Sequence, residues 1–467
     1  MHAELDSMQW LADPHADAAV AAILEGADPA ERLRRVDALN GVLRTWQTNA
    51  DVGSWRPAAA VPPGLAGPVE AYLAAARPLP PWAEADRIAR AEQLFMDYGA
   101  LSVTMLFCAS LPECYVVPDL AAVLHATGQL EDRAEYRIRS TGAMVFPVMM
   151  RGGLTLPTGG GVAQILKVRL IHATVRNLIL RESPEAAIAR LRSANDATVQ
   201  TIPPLGAMQS GDSMSQALAK VGWDLGARAL PNNQEELAYT LLTFSYVYLR
   251  ALRRLGIPLS AEHERDYLHA WNVAGSYLGI QRELMVDTME DAADLFARMQ
   301  ARGRRDWAVR PTPVDPRKGL ATALMDAMKT VMPDGAFKAF PVLLTRKLME
   351  PESVADLGLD AHVSWLARAC FTLLLGTARC IDAVVRVVFP DFSMSRLLTR
   401  AIGYRLMCTL LMSQTRELSV PSALRPAAQQ LIRAWSDDPK ASSRMNKLED
   451  IVTTHGDWEA LKPPATR

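Results

Sequence analysis

The chain carries almost no excess of charge. Fifty Lys plus Arg oppose 51 Asp plus Glu over 467 residues, a formal net charge of -1. The basic surface with which a generic nucleic-acid binder neutralises phosphates is therefore missing, and no nucleic-acid partner is expected. Cysteine is scarce as well. The five, Cys108, Cys114, Cys370, Cys380 and Cys408, form no Cys-x-x-Cys pair, which excludes the usual zinc and thioredoxin-like frameworks. No Cys-x-x-Cys-His occurs either, so a covalently attached c-type haem is excluded. The cysteines read as buried thiols. The longest uncharged and mostly apolar stretch, residues 98–112, falls short of the roughly 18 to 20 residues that span a bilayer. The first residues, Met1-His2-Ala3-Glu4-Leu5-Asp6, are acidic where an export signal has a basic patch and then an apolar run. A soluble, cytoplasmic protein is expected unless a leader has been removed.

What is present is a chain 49 % hydrophobic and 22 % charged, able to bury a large core. Strand signals are few, whereas apolar residues recur at three and four almost throughout. Leu237, Leu241, Phe244, Tyr248, Leu252 and Leu255 fall on one face of a helix that stops at Gly256 and Pro258. The next helix opens at Ser260, with Glu262 and Glu264 in its first turn where they suit the dipole. The fold class expected is all-α. Helices are predicted at about 85–108, 118–127, 132–149, 160–181, 184–195, 213–222, 233–255, 260–282, 286–302, 363–388 and 394–413. The Ala- and Pro-rich segment 57–81 reads as a connection wrapped over the surface. This divides the chain into an N-terminal helical arm and connection (1–80), a core (81–305) and a C-terminal helical extension (306–467), with a loosely held polar tail after Pro439. No internal repeat is visible.

One histidine stands apart from the other seven. His172 lies in a strongly apolar helix whose same face carries Ile165, Val168, Val175 and Ile179. Two readings are open: a hydrogen-bonded core imidazole, or an axial ligand to iron, since a lone imidazole on an apolar helix is how a helical protein holds haem. A second feature precedes it. Arg137 and Thr141, at i and i+4, place a cation and a hydroxyl side by side on a helix that turns apolar at Met144, Val145 and Phe146, which suits the carboxylate of a haem propionate. The alternative is a solvated charged face, since Arg133 and Arg139 lie nearby.

The order Leu79-Pro80-Pro81-Trp82-Ala83, then Arg137-Ile138-Arg139-Ser140-Thr141, then Lys167-Val168-Arg169-Leu170-Ile171-His172-Ala173, then Tyr267-Leu268-His269-Ala270-Trp271-Asn272-Val273 resembles the haem-b rubber oxygenases, or latex clearing proteins. It also resembles the wider oxygenase family that includes the mycophenolic acid pathway oxygenase. The likeness covers about residues 80–280 and fades through the C-terminal third. It implies an all-helical, globin-like core with added helices before and after it, and one non-covalent haem b held through His172, with Arg137 and Thr141 supporting the group and Arg176 as a helper. A distal glutamate of the family, taken as the base toward an allylic proton, corresponds here to Asp119 once two extra residues are allowed in the following loop. Asp119 follows Pro118 at a helix start, so an N-cap role stands beside the role of base, and Glu113, Glu131 and Asp132 are the next carboxylates to consider. Two departures stand out: Ser140 occupies the position of a lysine able to reach the iron, and Asp119 is one methylene shorter than glutamate.

The resemblance implies an oxygenase that uses dioxygen to oxidise or cleave a carbon–carbon double bond of an isoprenoid or other hydrophobic unsaturated substrate. A non-catalytic haem sensor on the same scaffold is the alternative. Tyr267 and Trp271 read as core packing and His269 as a hydrogen-bonded side chain. Gly159-Gly160-Gly161 lacks the strand and Lys-Ser or Lys-Thr of a phosphate loop and reads as a flexible entrance to the His172 helix. The basic-apolar stretch 393–411, with Arg396, Arg400 and Arg405, is either an ordinary core-facing helix or a contact with a membrane surface or partner subunit.

Overall fold

Proline starts helices in this chain at least as often as it ends them. It lacks the N–H that the first turn leaves unused, and its fixed φ suits the helix entry. Pro14, Pro29 and Pro316 each follow an aspartate N-cap, Asp13, Asp28 and Asp315, whose side chain accepts a backbone N–H of the first turn. Pro341 and Pro351 occupy the same place in the helices Phe340–Leu348 and Pro351–Asp356. The computed structural model describes residues 5–385 apart from 127–133, 194–199, 310–314 and positions 208, 210, 258, 331 and 333. The helix expected at 394–413, the polar tail, the stretch 393–411, Cys408, Glu131 and Asp132 lie outside the described residues. The side chain of Arg137 does too.

The architecture is all-helical, and the strand pairing among the described residues is one two-residue antiparallel ladder, Thr201 opposite Asp224 and Ile202 opposite Trp223. Most of the periodicity-derived helices form within a few residues of the expected bounds. Three differences have clear causes. The helix expected at 85–108 runs only over Ala85–Tyr98, because Gly99 takes φ +48°. The chain turns by 91° there before continuing through a π-helical turn at Leu106–Ser110. The single helix expected at 233–255 is two, Gln234–Phe244 and Tyr246–Arg254, broken at Ser245.

The segment 57–81 corrects the surface-connection reading. Pro63–Ala76 is a helix whose Leu65, Val69, Tyr72, Leu73 and Ala76 are buried, a helical stripe that the prolines mask in the sequence. It packs against the arm helix Pro14–Leu24, which in turn packs against the helix Gly161–Leu180. That last helix, carrying His172, also pairs with Ala134–Met149 and lies at the centre of the core. Cys108 and Cys114 are buried as expected, whereas Cys370 is half-buried and Cys380 exposed.

Candidate functional site

The His172 helix is held at its start by a tight junction. A Cβ on Gly161 would come within 2.6 Å of the Gly153 carbonyl oxygen, and one on Gly159 within 2.1 Å of the Gly152 oxygen. The glycines are therefore demanded by close backbone approach, and the expectation of a flexible entrance is corrected. Asn49, in a short helix of the N-terminal arm (Asn49–Gly53), accepts the Ala163 N–H at 3.1 Å and donates to the Gly153 and Leu156 carbonyls at 2.9 and 2.8 Å. It thereby satisfies an amide that the first turn of the helix leaves open. Beside this loop, Glu92 accepts the Gly152 N–H at 2.7 Å, and burial pushes its carboxyl up to about 7 against those hydrogen bonds.

Every residue of the Gly161–Leu180 helix is buried except Lys167, Val168, Ile171 and His172. These four form one contiguous strip on an otherwise enclosed helix. Lys167 sits at its edge, its ammonium pushed down to about 8 by burial while Asp51 opposes the shift. On the paired helix Ala134–Met149, Ser140 is exposed and Thr141, Ala143 and Met144 are half-buried, while Ile138, Val145, Phe146 and Val148 are buried. Two packed helices thus each keep an incompletely covered strip, one with an imidazole and the other with a hydroxyl. Among the described residues no group of three His, Cys, Asp or Glu side chains could hold a metal ion. An iron at His172 would need its remaining donors from elsewhere, and a porphyrin supplies four. The residue set present, one half-buried imidazole beside half-buried Val168, Ile171 and Met144, fits the chemistry of a haem.

Arg176 has other partners. Its guanidinium is fully buried and donates from Nε to Asp17 Oδ1 at 2.8 Å and from Nη1 to the Asn232 carbonyl at 2.8 Å. It turns toward the N-terminal arm, and these contacts differ from those expected of a haem helper. Arg169, which the sequence reading passed over, makes a two-pronged pair with Asp13, Nη2 to Oδ1 at 2.8 Å, and donates to the Tyr277 carbonyl at 3.1 Å. Both aspartates lie more than 150 residues away, so no local spacing announces them.

Asp119 is the second residue of Pro118–Ala126, inside the first turn and not at the N-cap position, which precedes Pro118. Its partner is Arg302 Nη1 at 3.2 Å, and the same guanidinium binds Glu235 at 2.7 Å and Asp306 at 3.0 Å. Burial raises the Asp119 carboxyl above its ordinary value and Arg302 opposes the rise. Burial also takes Glu235 to about 7 and Glu236 well above its usual range. Neither carboxyl oxygen of Glu236 has a hydrogen-bond partner, nor does Oε2 of Glu235. A run of buried polar contacts therefore leads from Arg176 to Asn232, through the helix start that carries Glu235, to Arg302 and Asp119. Glu113 is fully buried and bound by Arg250 and by Gln300 Nε2 at 3.0 Å, a closed structural network.

The first and last of the four sequence motifs meet away from this centre. His269 Nε2 accepts the Glu84 N–H at 3.0 Å, and its ring lies edge-on to Trp82 at 5.7 Å, with Arg282 over the indole at 5.3 Å. Tyr267 is fully buried and stacks on Tyr248 at 4.7 Å. Hydrogen-bonded histidine and core aromatics are what the sequence indicates for both.

Residues 95–381 match the model of a protein family described as ER-bound oxygenase mpaB/B'/Rubber oxygenase, catalytic domain. The rubber oxygenase of Streptomyces sp. (strain K30) is 23 % identical over 287 residues, which are 61 % of this chain and 57 % of that protein. The match thus spans little more than half the length of that relative. A solved structure described as latex clearing protein LCP in the closed state aligns with a TM-score of 0.60 at 18 % identity, covering 89 % of this chain and 95 % of that one. This last likeness concerns the fold. The matched segment takes in Asp119, Thr141, His172 and Arg302, and begins after the whole N-terminal arm.

Proposed function

The chain belongs to the family of the mpaB/B' and rubber oxygenase catalytic domain, and from that membership we propose that it is a haem-b-dependent oxygenase. Its substrate would be an isoprenoid or another apolar molecule with a carbon–carbon double bond, oxidised or cleaved with dioxygen. The observation that carries this reading is the strip of Val168, Ile171 and His172 left incompletely covered on an otherwise buried helix. Haem, when bound, supplies the dioxygen chemistry; the protein supplies the rest. His172 would offer its imidazole to the iron. Arg137 and Thr141 would hold the propionates, by charge and by a hydrogen bond. Val168, Ile171 and Met144 exclude water and favour an apolar chain over a polar one. Asp119, raised by burial with Arg302 opposing the rise, would be the base that accepts a proton from the allylic carbon of the substrate. Ser140, in place of a longer lysine, would leave room beside a bound haem for substrate and dioxygen. The substrate favoured is a small or membrane-dissolved unsaturated lipid.

The test is the visible spectrum of the purified protein with dithionite and carbon monoxide, beside that of His172→Ala. We expect about one haem per chain in the parent and its near-complete loss in the variant. An unchanged Soret band and haem content in His172→Ala would refute the ligand assignment.

A further inference from the structure

We infer that the N-terminal arm is a working part of the iron site, with Asp13 and Asp17 as positioning residues that set the His172 helix through Arg169 and Arg176. The inference rests on the haem reading above and extends it to residues outside the matched family segment. Arg169 and Arg176 flank His172 at three residues before and four after. At about 100° per residue they share one stripe, roughly 50° round the helix from the imidazole. The two aspartates stand one turn apart at the start of the helix Pro14–Leu24, and the Asp13 N–H donates to Asp17 Oδ2 at 3.0 Å. A pair spaced by four residues on the arm thus grips a pair spaced by seven on the ligand helix. Two such grips fix both the rotation of that helix and its position along its axis, which one alone would not.

The surroundings are built for these pairs. Gly279 adopts φ +87°, and a Cβ there would lie 2.5 Å from Asp13 Oδ2 and 2.8 Å from Arg169 Nε, so the chain forgoes a side chain at 279 to make room. The arm backbone is threaded beside them, with the Leu230 N–H donating to the Gln9 carbonyl at 3.2 Å and the Gln234 N–H to the Leu11 carbonyl at 2.9 Å. Gln234 Nε2 ties the Ala12 and Gly279 carbonyls together at 2.8 and 2.9 Å. Buried ion pairs contribute little net stability compared with apolar replacements, but they fix geometry. A metal ligand depends on the groups that orient its helix and ring.

The experiment uses the full-length, haem-loaded protein and the variants Asp13→Asn, Asp17→Asn and Asp17→Glu, with His172→Ala as reference. The rate of haem transfer to excess apomyoglobin and the electron paramagnetic resonance of the ferric protein are measured. We expect transfer about ten- to a hundredfold faster in the Asn variants, with shifted g-values, and partial restoration in Asp17→Glu. Parent-like rates and spectra in both Asn variants, while His172→Ala loses its haem, would overturn the inference and leave the haem reading standing. Hydrogen exchange over residues 164–176 in haem-free protein separates the two ideas further. It should quicken in Asp17→Asn whatever the haem result, and unchanged protection would count against the latch. Should the Asn variants fail to fold, the apolar replacement Asp17→Leu with Arg176→Met preserves packing. It should fold and still show altered g-values, and a parent-like spectrum would overturn the inference.

Discussion

Two buried polar clusters lie at opposite ends of one chain of contacts, and they are built differently. At the arm, Arg169 and Arg176 each take one aspartate. At the other end, Arg302 faces Asp119, Glu235 and Asp306, with the partnerless carboxyl of Glu236 beside them. Matched charges make a latch. An excess of carboxylates in a buried place makes a store for protons, because the additional anions are disfavoured there unless protonated. Burial sets Asp17 at about 6 and Glu235 at about 7, so near neutrality the first is largely ionised and the second titrates.

The sharpest way to break the comparison is to remove each cation. Arg302→Met strands Asp119 and Glu235, Asp306 keeping Arg305, whereas Arg176→Met strands Asp17 alone, so the first should lose more stability, about 3–5 kcal/mol at neutral pH. Denaturant midpoints of the two variants at pH 7 and pH 5 check this. The Arg302→Met deficit should shrink at pH 5, where its carboxylates take up protons. A smaller expected effect is the pH slope contributed by Glu235. Its folded value, about 7, lies above the ordinary 4.5, so the native state binds this proton more tightly than the unfolded chain does. The stability it contributes is full below about pH 4.5 and is lost as pH rises through 7, on the order of 3 kcal/mol in all. Glu235→Gln should flatten that slope in a series of urea melts between pH 4 and 8. Smallest of all is Glu236→Gln: burial raises the Glu236 carboxyl well above its ordinary range, which favours the uncharged form that Gln mimics, so the neutral-pH midpoint should shift little. It should remove a protonated-carboxyl stretch from the infrared difference spectrum.

The difference between the two clusters also marks where sequence reasoning reaches. The His172 helix was legible because apolar residues repeat with a helical period around one imidazole, and the all-helical class followed from the same signal. The helix that carries positions 137 and 141 was legible in the same way. Neither polar cluster was, because Asp13 meets Arg169 and Asp119 meets Arg302 only after folding, across 156 and 183 residues. A usable clue lay in Asp13-Pro14, Asp28-Pro29 and Asp315-Pro316, each an N-cap followed by a helix-starting proline. Reading proline as a breaker hid the helices Pro63–Ala76 and Pro316–Lys329. Asp119 was named from the sequence, but its ion pair with Arg302 was not, since nothing near residue 302 distinguishes that arginine from its neighbours.

The arm also has a consequence for the order in which the chain acquires its structure. Asp13 leaves the ribosome early, yet the groups that enclose it, Arg169, the Tyr277 carbonyl and the bare backbone of Gly279, are synthesised far later. The enclosure of Asp13 is therefore completed only when residues 277–279 fold against it, and the entropy of closing so long a loop is met at that point. A nascent chain halted before residue 277 would hold both ion-pair partners but lack the Tyr277 carbonyl and the bare backbone of Gly279, so the pairs on the His172 helix would be without their full enclosure.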